Sequence, residues 1–568
     1  MSSTQQHMDV VIIGAGLSGI GAAAHLTTEL PYKRYAILEA RSAIGGTWDL
    51  FRYPGIRSDS DMYTFGYRFK PWTGRTLADR PSIQRYIEDT ADEYGIREHI
   101  RFHHRVLAAE WSSVTARWTI TAQRTDTGQQ VAFTASWVIG ATGYYDADEG
   151  YRPQLPSEEH FQGPIVHPQH WPDDLDYTDQ RVVVIGSGAT AVTLVPSLAK
   201  KAAHVTMLQR TPTYIASVPA EDPLARVLHN VLPSRNAARI LRWKYILLRQ
   251  AQYSISRALP GIVRGKIRHD VIKHLPDDYE VDTHFNPPYD PWDQRICAVP
   301  DGDLFDALGT DKASIKTDTI LTFTRDGIEL DSGEFLPADL VITATGLNLQ
   351  WLGGMTVTVD GQEVALRDRF VYKGMMLSGV PNLNLVSGYT NNSWTLKADL
   401  VNRYVCHLLR HMDEQGYDTV TPMTPIGHKP SPAMELDAGY VRRGLDSMPK
   451  QGSRVPWRLH QNYLRDLRLF NPRNLDDGHV RFRRTTDINQ DTPHRPPGIT
   501  VPTQTVTVNG RQMRYRDEGH GIPVVFVHGI ARSLEDWDEQ HGLLRGQGFR
   551  LISVDLPGYG GSAPLDTP

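Results

Sequence analysis

Two copies of one turn constrain this chain more than any other feature. Asp9 to Ile13 (DVVII) is a short buried-strand pattern, β-branched and apolar, that runs straight into Gly14-Ala15-Gly16-Leu17-Ser18-Gly19. An alanine-rich helical stretch, Ile20 to Leu26, follows it. In that context Gly14 makes the tight turn, Gly16 admits a pyrophosphate, and Gly19 lets helix and strand approach. The phosphates then meet the unpaired N–H groups of the helix. A second strand, Tyr35 to Leu38 (YAIL), ends in Glu39, about 20 residues past the glycines, the place of an acid that accepts a ribose 2′-hydroxyl. The plain alternative is a chance glycine-rich turn; strand, helix and terminal acid together argue against it.

The pattern recurs at Arg181 to Ile185 (RVVVI), followed by Gly186-Ser187-Gly188-Ala189-Thr190-Ala191. Here the second strand, His204 to Leu208, leads into Gln209-Arg210-Thr211 instead of an acid. A carboxylate would repel a 2′-phosphate, whereas a guanidinium grips one in a bidentate, charge-assisted geometry. The second site is therefore expected to prefer NADPH to NADH, the alternative being that Arg210 is a solvated strand-end charge. Two dinucleotide sites in one chain imply electron flow from nicotinamide to flavin, so FAD is expected at the first turn. Disulfide reductases and oxygen-using monooxygenases share this plan. The reductases need closely spaced cysteines beside the flavin, and the only cysteines, Cys297 and Cys406, are far apart in sequence. That excludes the reductase reading and offers no metal-ligand spacing, so no metal site is expected.

The expected fold class is α/β, with two Rossmann-like dinucleotide-binding domains. At 568 residues two to four domains are expected: an FAD-binding domain in two parts (1–150 and 341–484), a linker (151–180), an NADPH-binding domain (181–340) with a helical insertion at about 221–275, a second linker (485–502) and a partial domain (503–568). The formal net charge of −5 leaves no electrostatic footprint for nucleic acid. No apolar run is long enough to span a bilayer, and MSSTQQHMDV lacks a basic region followed by an apolar one. A cytoplasmic location with reduced thiols is the expectation.

Three stretches carry a family resemblance. Phe161-Gln162-Gly163-Pro164-Ile165-Val166-His167-Pro168-Gln169-His170-Trp171-Pro172 matches the F-x-G-x-x-x-H-x-x-x-W-P pattern of Baeyer–Villiger monooxygenases, just before the second glycine turn. Gly46-Thr47-Trp48, then Tyr53-Pro54-Gly55, then Asp59, match the family's second pattern. The run from Asp282 to Pro300 and the stretch Gly388 to Lys397 resemble its ethionamide-activating branch. The resemblance covers roughly residues 8–484. It implies that NADPH reduces FAD, that a flavin C4a-peroxide forms with O₂, and that this attacks a ketone to give an ester or lactone. A fixed cation in a water-poor site suits that charge, and arginine does not surrender a proton to it. The resemblance puts Arg295 in this role and Asp59 as the acid that orients it; a buried, purely structural ion pair is the alternative. Gly46, Thr47, Trp48 and Asp59 are expected at the flavin, and Gly186, Ser187, Gly188, Thr190, Arg210 and Thr211 at NADPH.

Several residues keep two readings. His167 is a satisfied structural histidine or, by the resemblance, a coupling residue between the nucleotide domains. Trp48 stacks near the flavin or belongs to the core. The Ala-Thr-Gly turns at 141–143 and 344–346 mark crossings between domains. The helix expected from about Thr395 could aim its N-terminal amides at the flavin's pyrimidine end, or be an ordinary capped helix. The basic stretch between Asp222 and Leu275 roofs the substrate cavity, or forms an amphipathic surface that touches anionic membrane.

After Arg484 a polar, proline-rich segment reads as a linker. Thr505 to Val508, an Asn509-Gly510 hairpin turn, Arg511 to Arg516, Pro523 to Val527 ending in His528-Gly529, and Arg550 to Asp555 then resemble the opening of an α/β-hydrolase. No G-x-S-x-G elbow follows His528, and Ser562 sits in Gly-Gly-Ser-Ala-Pro, so this segment is expected to be a truncated fusion without esterase activity. Ketone-to-ester oxygenation is the leading expectation. Sulfur or nitrogen oxygenation is its rival, an ester hydrolase is the alternative of another class, and a non-enzymatic flavin remnant is opposed by the intact glycines, Asp59 and Arg295. The identity of the ketone and the oligomeric state stay open at this level.

Overall fold

Strand Gln6–Ile13 lies between two parallel neighbours, Tyr35–Leu38 and Gln130–Gly140. Its side chains alternate between two cores: Val10 and Ile12 pack on one face of the sheet, Val11 and Ile13 on the other. A parallel strand covered on both sides has no polar face, which is why DVVII carries no alternation. This computed structural model describes residues 6–486, 503–529, 533–537, 540–541, 544–545 and 547–563. The chain separates into two compact units, residues 1–485 and 486–568.

The first unit holds two large sheets. One runs Gln362–Glu363, Thr356–Val359, His104–Ser112, Arg117–Arg124, Gln130–Gly140, Gln6–Ile13, Tyr35–Leu38, Ile100–Arg101, with Leu383–Leu385 added in parallel to Gln130–Gly140. The other is all parallel, in the order Ala313–Thr317, His204–Gln209, Arg181–Ile185, Leu340–Thr343, Ile165–Val166. RVVVI is again buried on both faces, Val182 and Val184 against Val183 and Ile185. Two expected boundaries shift. The one at 340/341 cuts through strand Leu340–Thr343, which belongs whole to the second sheet, and Ile165–Val166, inside the expected linker, is that sheet's edge strand. Where the chain crosses between sheets, Tyr145–Gly150 and Leu347–Leu349 pair antiparallel.

Between residues 223 and 272 the chain forms three helices, Pro223–Val231, Ser234–Ala258 and Pro260–Ile272. Asp222 caps the first and also binds Lys244 and Tyr245 of the second.

Helix Leu17–Glu29, which follows the first glycine turn, packs along helix Trp394–Gln415. Ser18 Oγ accepts from Trp394 Nε1 at 2.7 Å, His25 meets Asp399 at 3.0 Å, and Arg410 donates to the Glu29 carbonyl at 3.0 Å. Both chains of contacts ascend together, so the helices are parallel and their N-termini share one end. Burial opposes charge on His25, but its hydrogen bonds to Asp399 and Glu29 outweigh that and hold its pKa above the usual value. Burial likewise opposes charge on Asp399, and the His25 contact brings its pKa down to about 2.

Stability is linked to pH through both groups. The histidine contribution is present below about pH 6.5 and lost as pH rises through its raised value; the aspartate contribution is present above about pH 3.9 and lost as pH falls toward the depressed one. Asp399→Ala is therefore expected to reduce the unfolding free energy by about 3–5 kcal/mol near pH 6. Urea denaturation should show this difference shrinking toward alkaline pH and toward strong acid; a difference independent of pH would contradict the pairing.

In the second unit the strand order is Gln504–Val508, Arg511–Gly519, Phe549–Val554, Ile522–Val527, with only the last pair parallel. Asn509 and Gly510, at φ +52° and +79°, make the expected two-residue hairpin turn. Ile522, Val525 and Val527 are exposed on the edge strand. Of the expected linker 485–502, residues 487–502 lie outside the described residues, as does Pro564.

Candidate active site

The first glycine turn is closed by backbone contacts. Gly14 sits at φ +102° beneath the Ala141 carbonyl, and a Cβ on Gly19 would lie 1.9 Å from the Gly14 oxygen. Gly16, which opens helix Leu17–Glu29, bridges to Gly45, and a Cβ on Gly16 would lie 3.4 Å from the Gly46 Cα. Glu39 ends strand Tyr35–Leu38; its carboxylate accepts from the amides of Ala15 at 2.7 Å and Arg41 at 2.8 Å. Burial pushes its pKa up while those amides oppose the shift. Glycine-lined backbone, a helix N-terminus and a strand-end acid fit a dinucleotide.

At the second turn Gly186 lies at φ +135°, and Gly188 opens helix Ala189–Leu198 with nothing within 4 Å of where a side chain would project. Ser187 Oγ donates to the Thr211 carbonyl at 3.0 Å, tying turn to strand end. Arg210 is exposed and, among the described residues, makes no ion pair. Gln209, standing where the first turn has its acid, is buried and donates to the His284 carbonyl and Thr317 Oγ1, each at 2.8 Å. Thr190 faces Tyr53, whose hydroxyl burial pushes up to about 12 against the Thr190 hydrogen bond. The hydroxyl expected at the cofactor is thus brought to an inter-domain contact.

That contact belongs to a strap, residues 53–59, leading from the first dinucleotide fold onto the second. Gly55, at φ +78°, rests so closely on helix Ala189–Leu198 that a Cβ would lie 1.9 Å from Ser197 Oγ. Arg57 grips Asp303 through two hydrogen bonds of 2.5 and 3.1 Å. Two residues on, Asp59 Oδ2 lies 3.5 Å from Arg295 Nη1. The sequence pairing of Asp59 with Arg295 is thus a spatial one, at the loose end of hydrogen-bond range.

Arg295 follows Trp292, a bulky residue at φ +72°, a backbone state that persists only where surroundings impose it. Crowding by neighbouring groups opposes the Arg295 charge, although 36% of its side chain stays exposed; Tyr144, Tyr145, Asp59 and Tyr440 hold its pKa well above the ordinary value, so it remains a cation. Beside it stands an aromatic wall. Tyr144 contacts Tyr145, Trp394 and Trp351 at centroid distances of 4.4, 5.3 and 6.4 Å, and Tyr145 meets Tyr440 at 6.0 Å. Arg295 Nε and Trp351 Nε1 are buried without a hydrogen-bond partner, so each has a donor free for a further acceptor. Trp48 is half-buried, edge-on to Phe65 at 5.9 Å, and packs against the cores of both dinucleotide folds. Thr47 is exposed in the short helix Thr47–Leu50.

His167 lies at the crossing, its Nε2 3.2 Å from the Gly346 carbonyl and its Nδ1 accepting from the Gln169 amide at 3.2 Å. Burial lowers its pKa, which favours the neutral ring. Cys297 and Cys406 are buried and unpaired, and burial pushes the Cys297 thiol up to about 12. Sequence reasoning misses Tyr144, Tyr145, Trp351, Tyr440 and the Arg57–Asp303 pair. Tyr144-Tyr145 directly follow the first Ala-Thr-Gly turn, the one local signal that points to them.

A two-dinucleotide flavoprotein fold with an arginine paired to an aspartate at the junction defines the class, and comparison with known proteins narrows it. Residues 11–227 match the model of the pyridine nucleotide-disulphide oxidoreductase family. FAD-containing monooxygenase EthA of Mycobacterium tuberculosis is 55% identical over 482 residues, covering 84% of this chain and 98% of that one. Among solved structures, an oxidized steroid monooxygenase bound to NADP superposes with a TM-score of 0.66 at 21% identity, over 84% of this chain and all of that one. The open structure of cyclohexanone monooxygenase gives 0.67 at 19% identity over the same shares. The chain belongs to the family of FAD-containing monooxygenases. The disulphide-oxidoreductase model describes its first dinucleotide fold and the start of its second; the buried, unpaired cysteines do not supply that family's redox pair.

Gly19→Ala is expected to push helix Leu17–Glu29 off its strand and abolish FAD retention, read as flavin absorbance per chain after gel filtration. Full flavin content would show that the turn is not the flavin site.

Proposed function

We propose that the chain is an NADPH- and O₂-dependent monooxygenase that converts ketones to esters or lactones. The observation that carries this reading is Arg295, a permanent cation with a buried, unpartnered Nε beside an aromatic wall at the junction of the two dinucleotide folds. Bound FAD takes electrons from NADPH and delivers one oxygen atom of O₂ to the substrate.

The residues have separable duties. Glu39 and the first glycine turn hold the flavin nucleotide, while Gly186, Ser187, Gly188 and Thr211 receive NADPH. Arg210 grips its 2′-phosphate. Gly46, Thr47 and Trp48 border the flavin, and the parallel helices beginning at Leu17 and Trp394 direct N-terminal amides toward it. Arg295 stabilises the negative charge that develops as oxygen meets the carbonyl, and has no proton to give up. Asp59, presented by the clasped strap, orients that guanidinium. Tyr144, Tyr145, Trp351 and Tyr440 keep water from the oxygen and bound the substrate. His167, pinned to Gly346, couples the two crossings.

Arg295→Ala should still consume NADPH while ester yield falls about 100-fold or more, the oxygen leaving as H₂O₂. A normal ester yield, measured by gas chromatography beside a peroxide assay, would remove Arg295 from the mechanism. In a mixture of a ketone and a thioether, ester is expected; sulfoxide alone would assign the same site to sulfur oxygenation. Arg210→Gln should reduce the preference for NADPH over NADH by about 10- to 100-fold, in kcat/KM for the two cofactors, with ester per NADPH unchanged. An unaltered preference would show that Arg210 is only a solvated charge.

For the second unit we propose the opening portion of an α/β-hydrolase fold. His528-Gly529 follows the parallel edge strand, and buried His528 accepts from the Leu556 amide at 2.9 Å. Ser562 Oγ is engaged by the Asp555 carbonyl and the Arg514 amide. A row of Ser553, His541 and Glu518 has hydrogen bonds of 2.5 Å, but Ser553 is wholly buried, so the row braces the fold. With p-nitrophenyl esters the full chain should show only the spontaneous rate; enzymatic turnover would overturn this reading.

A further inference from the structure

The three helices between residues 223 and 272 present an apolar face to solvent as well as to the protein. Helix Ser234–Ala258 buries Ala237, Leu241, Tyr245 and Ile246 against the enzyme body. On its outer side Ile240, Trp243, Leu247 and Ile255 are exposed by 42–52%. Their spacing follows the helical repeat, so they form one line about 22 Å long at 1.5 Å per residue. Leu259 and Ile262, exposed by 51% and 66%, extend the apolar surface past the end of that helix. Leu224, Val227 and Val231, three and four residues apart on helix Pro223–Val231, add a second exposed row. Isolated exposed apolar residues need no explanation, but contiguous rows mark a surface that is covered in use.

The charge around these rows selects the cover. Residues 223–275 contain eleven lysines and arginines and one acid, Asp270, in a chain of net charge −5. Several of these bases turn inward to acids of the body: Lys244 to Asp222, Arg257 to Asp293, Arg264 to Asp290, Arg268 to Asp282. Arg235, Arg239, Lys266 and Lys273 are exposed and pair with no acid among the described residues. A two-fold contact with a second copy would set this basic stripe against itself. An anionic lipid surface complements it, with the apolar rows in the acyl boundary and Trp243 at headgroup level.

We propose that this face docks the enzyme reversibly on an anionic membrane surface. None of its residues belongs to the machinery around Arg295, so the proposal stands or falls apart from the ketone chemistry. The face is nonetheless linked to the site: Arg242, on the buried side of the docking helix, donates to the carbonyls of Tyr63 and Gly66 at 3.1 and 2.9 Å, flanking Phe65, which meets Trp48. An apolar substrate dissolved in the bilayer would then meet the enzyme where it is most concentrated.

The test uses the full-length holoenzyme and vesicles of phosphatidylcholine alone or mixed with phosphatidylglycerol, separated by sedimentation at low ionic strength. Binding is expected on the mixed vesicles and weakening with added salt. Trp243→Ser, Leu247→Ser and Ile255→Ser together should reduce affinity about tenfold or more, with flavin content and NADPH oxidation at parental levels. If that triple variant fails to hold flavin, replacing Arg235, Arg239, Lys266 and Lys273 with glutamine tests the same face: preference for anionic over neutral vesicles should vanish. No parental binding at low salt, or unchanged binding by the variants, overturns the proposal. So does a parental dimer in light scattering that the triple variant converts to monomer without any vesicle binding, which assigns the face to a second copy.

Discussion

The close backbone approach of Gly16 to Gly45 and Gly46 joins the nucleotide turn to the strap on which the site depends. On one side of it is the turn that feeds helix Leu17–Glu29; on the other is the short helix Thr47–Leu50, from which the chain proceeds through Tyr53 and Gly55 to Asp59. Because these glycines meet backbone to backbone, the nucleotide turn and the strap are set at a fixed spacing. The strap is then fastened at its far end by Gly55 on Ser197 and Arg57 on Asp303. Asp59, which meets Arg295, is thus presented by a short segment held at both ends, one by each dinucleotide fold.

The same logic applies at the aromatic wall. Trp394 is held by Ser18, the second residue of the glycine-turn helix, and it contacts Tyr144, the residue after the first crossing turn. The unpartnered donors on Arg295 and Trp351 lie beside elements anchored elsewhere. A buried polar group without a partner is costly, and these two donors stand side by side with the aromatic wall.

Much of this is legible in the sequence where local chemistry and fold agree. Runs such as DVVII and RVVVI declare themselves because a parallel strand buried on both faces is apolar along its length, and Gly14, Gly19 and Gly186 after them hold a backbone approach or a positive φ that a side chain would disturb. Asp59 and Arg295, far apart in the chain, are paired through motif resemblance, and the structure puts them 3.5 Å apart. The wall is not legible: Tyr144, Trp351 and Tyr440 come from separate segments that share no period. The contact of Thr190 with Tyr53 is not legible either, because a hydroxyl at a helix start serves a ligand or a neighbouring tyrosine equally well. Strand Leu340–Thr343 falls across the expected domain boundary because buried parallel strands of two sheets read alike. The basic, amphipathic character of the stretch from Asp222 to Leu275 is legible, but which of the apolar residues on helix Ser234–Ala258 face the protein and which face solvent is not.

Oxygen labelling decides whether the scaffold performs the proposed insertion of one atom of dioxygen beside a ketone carbonyl. Turnover of a ketone by the flavin-loaded enzyme with NADPH under isotopically heavy dioxygen should give an ester carrying one heavy oxygen, detected by mass spectrometry. NADPH consumed with all of the label in hydrogen peroxide and water, and none in an ester, would rule out ketone oxygenation at this site.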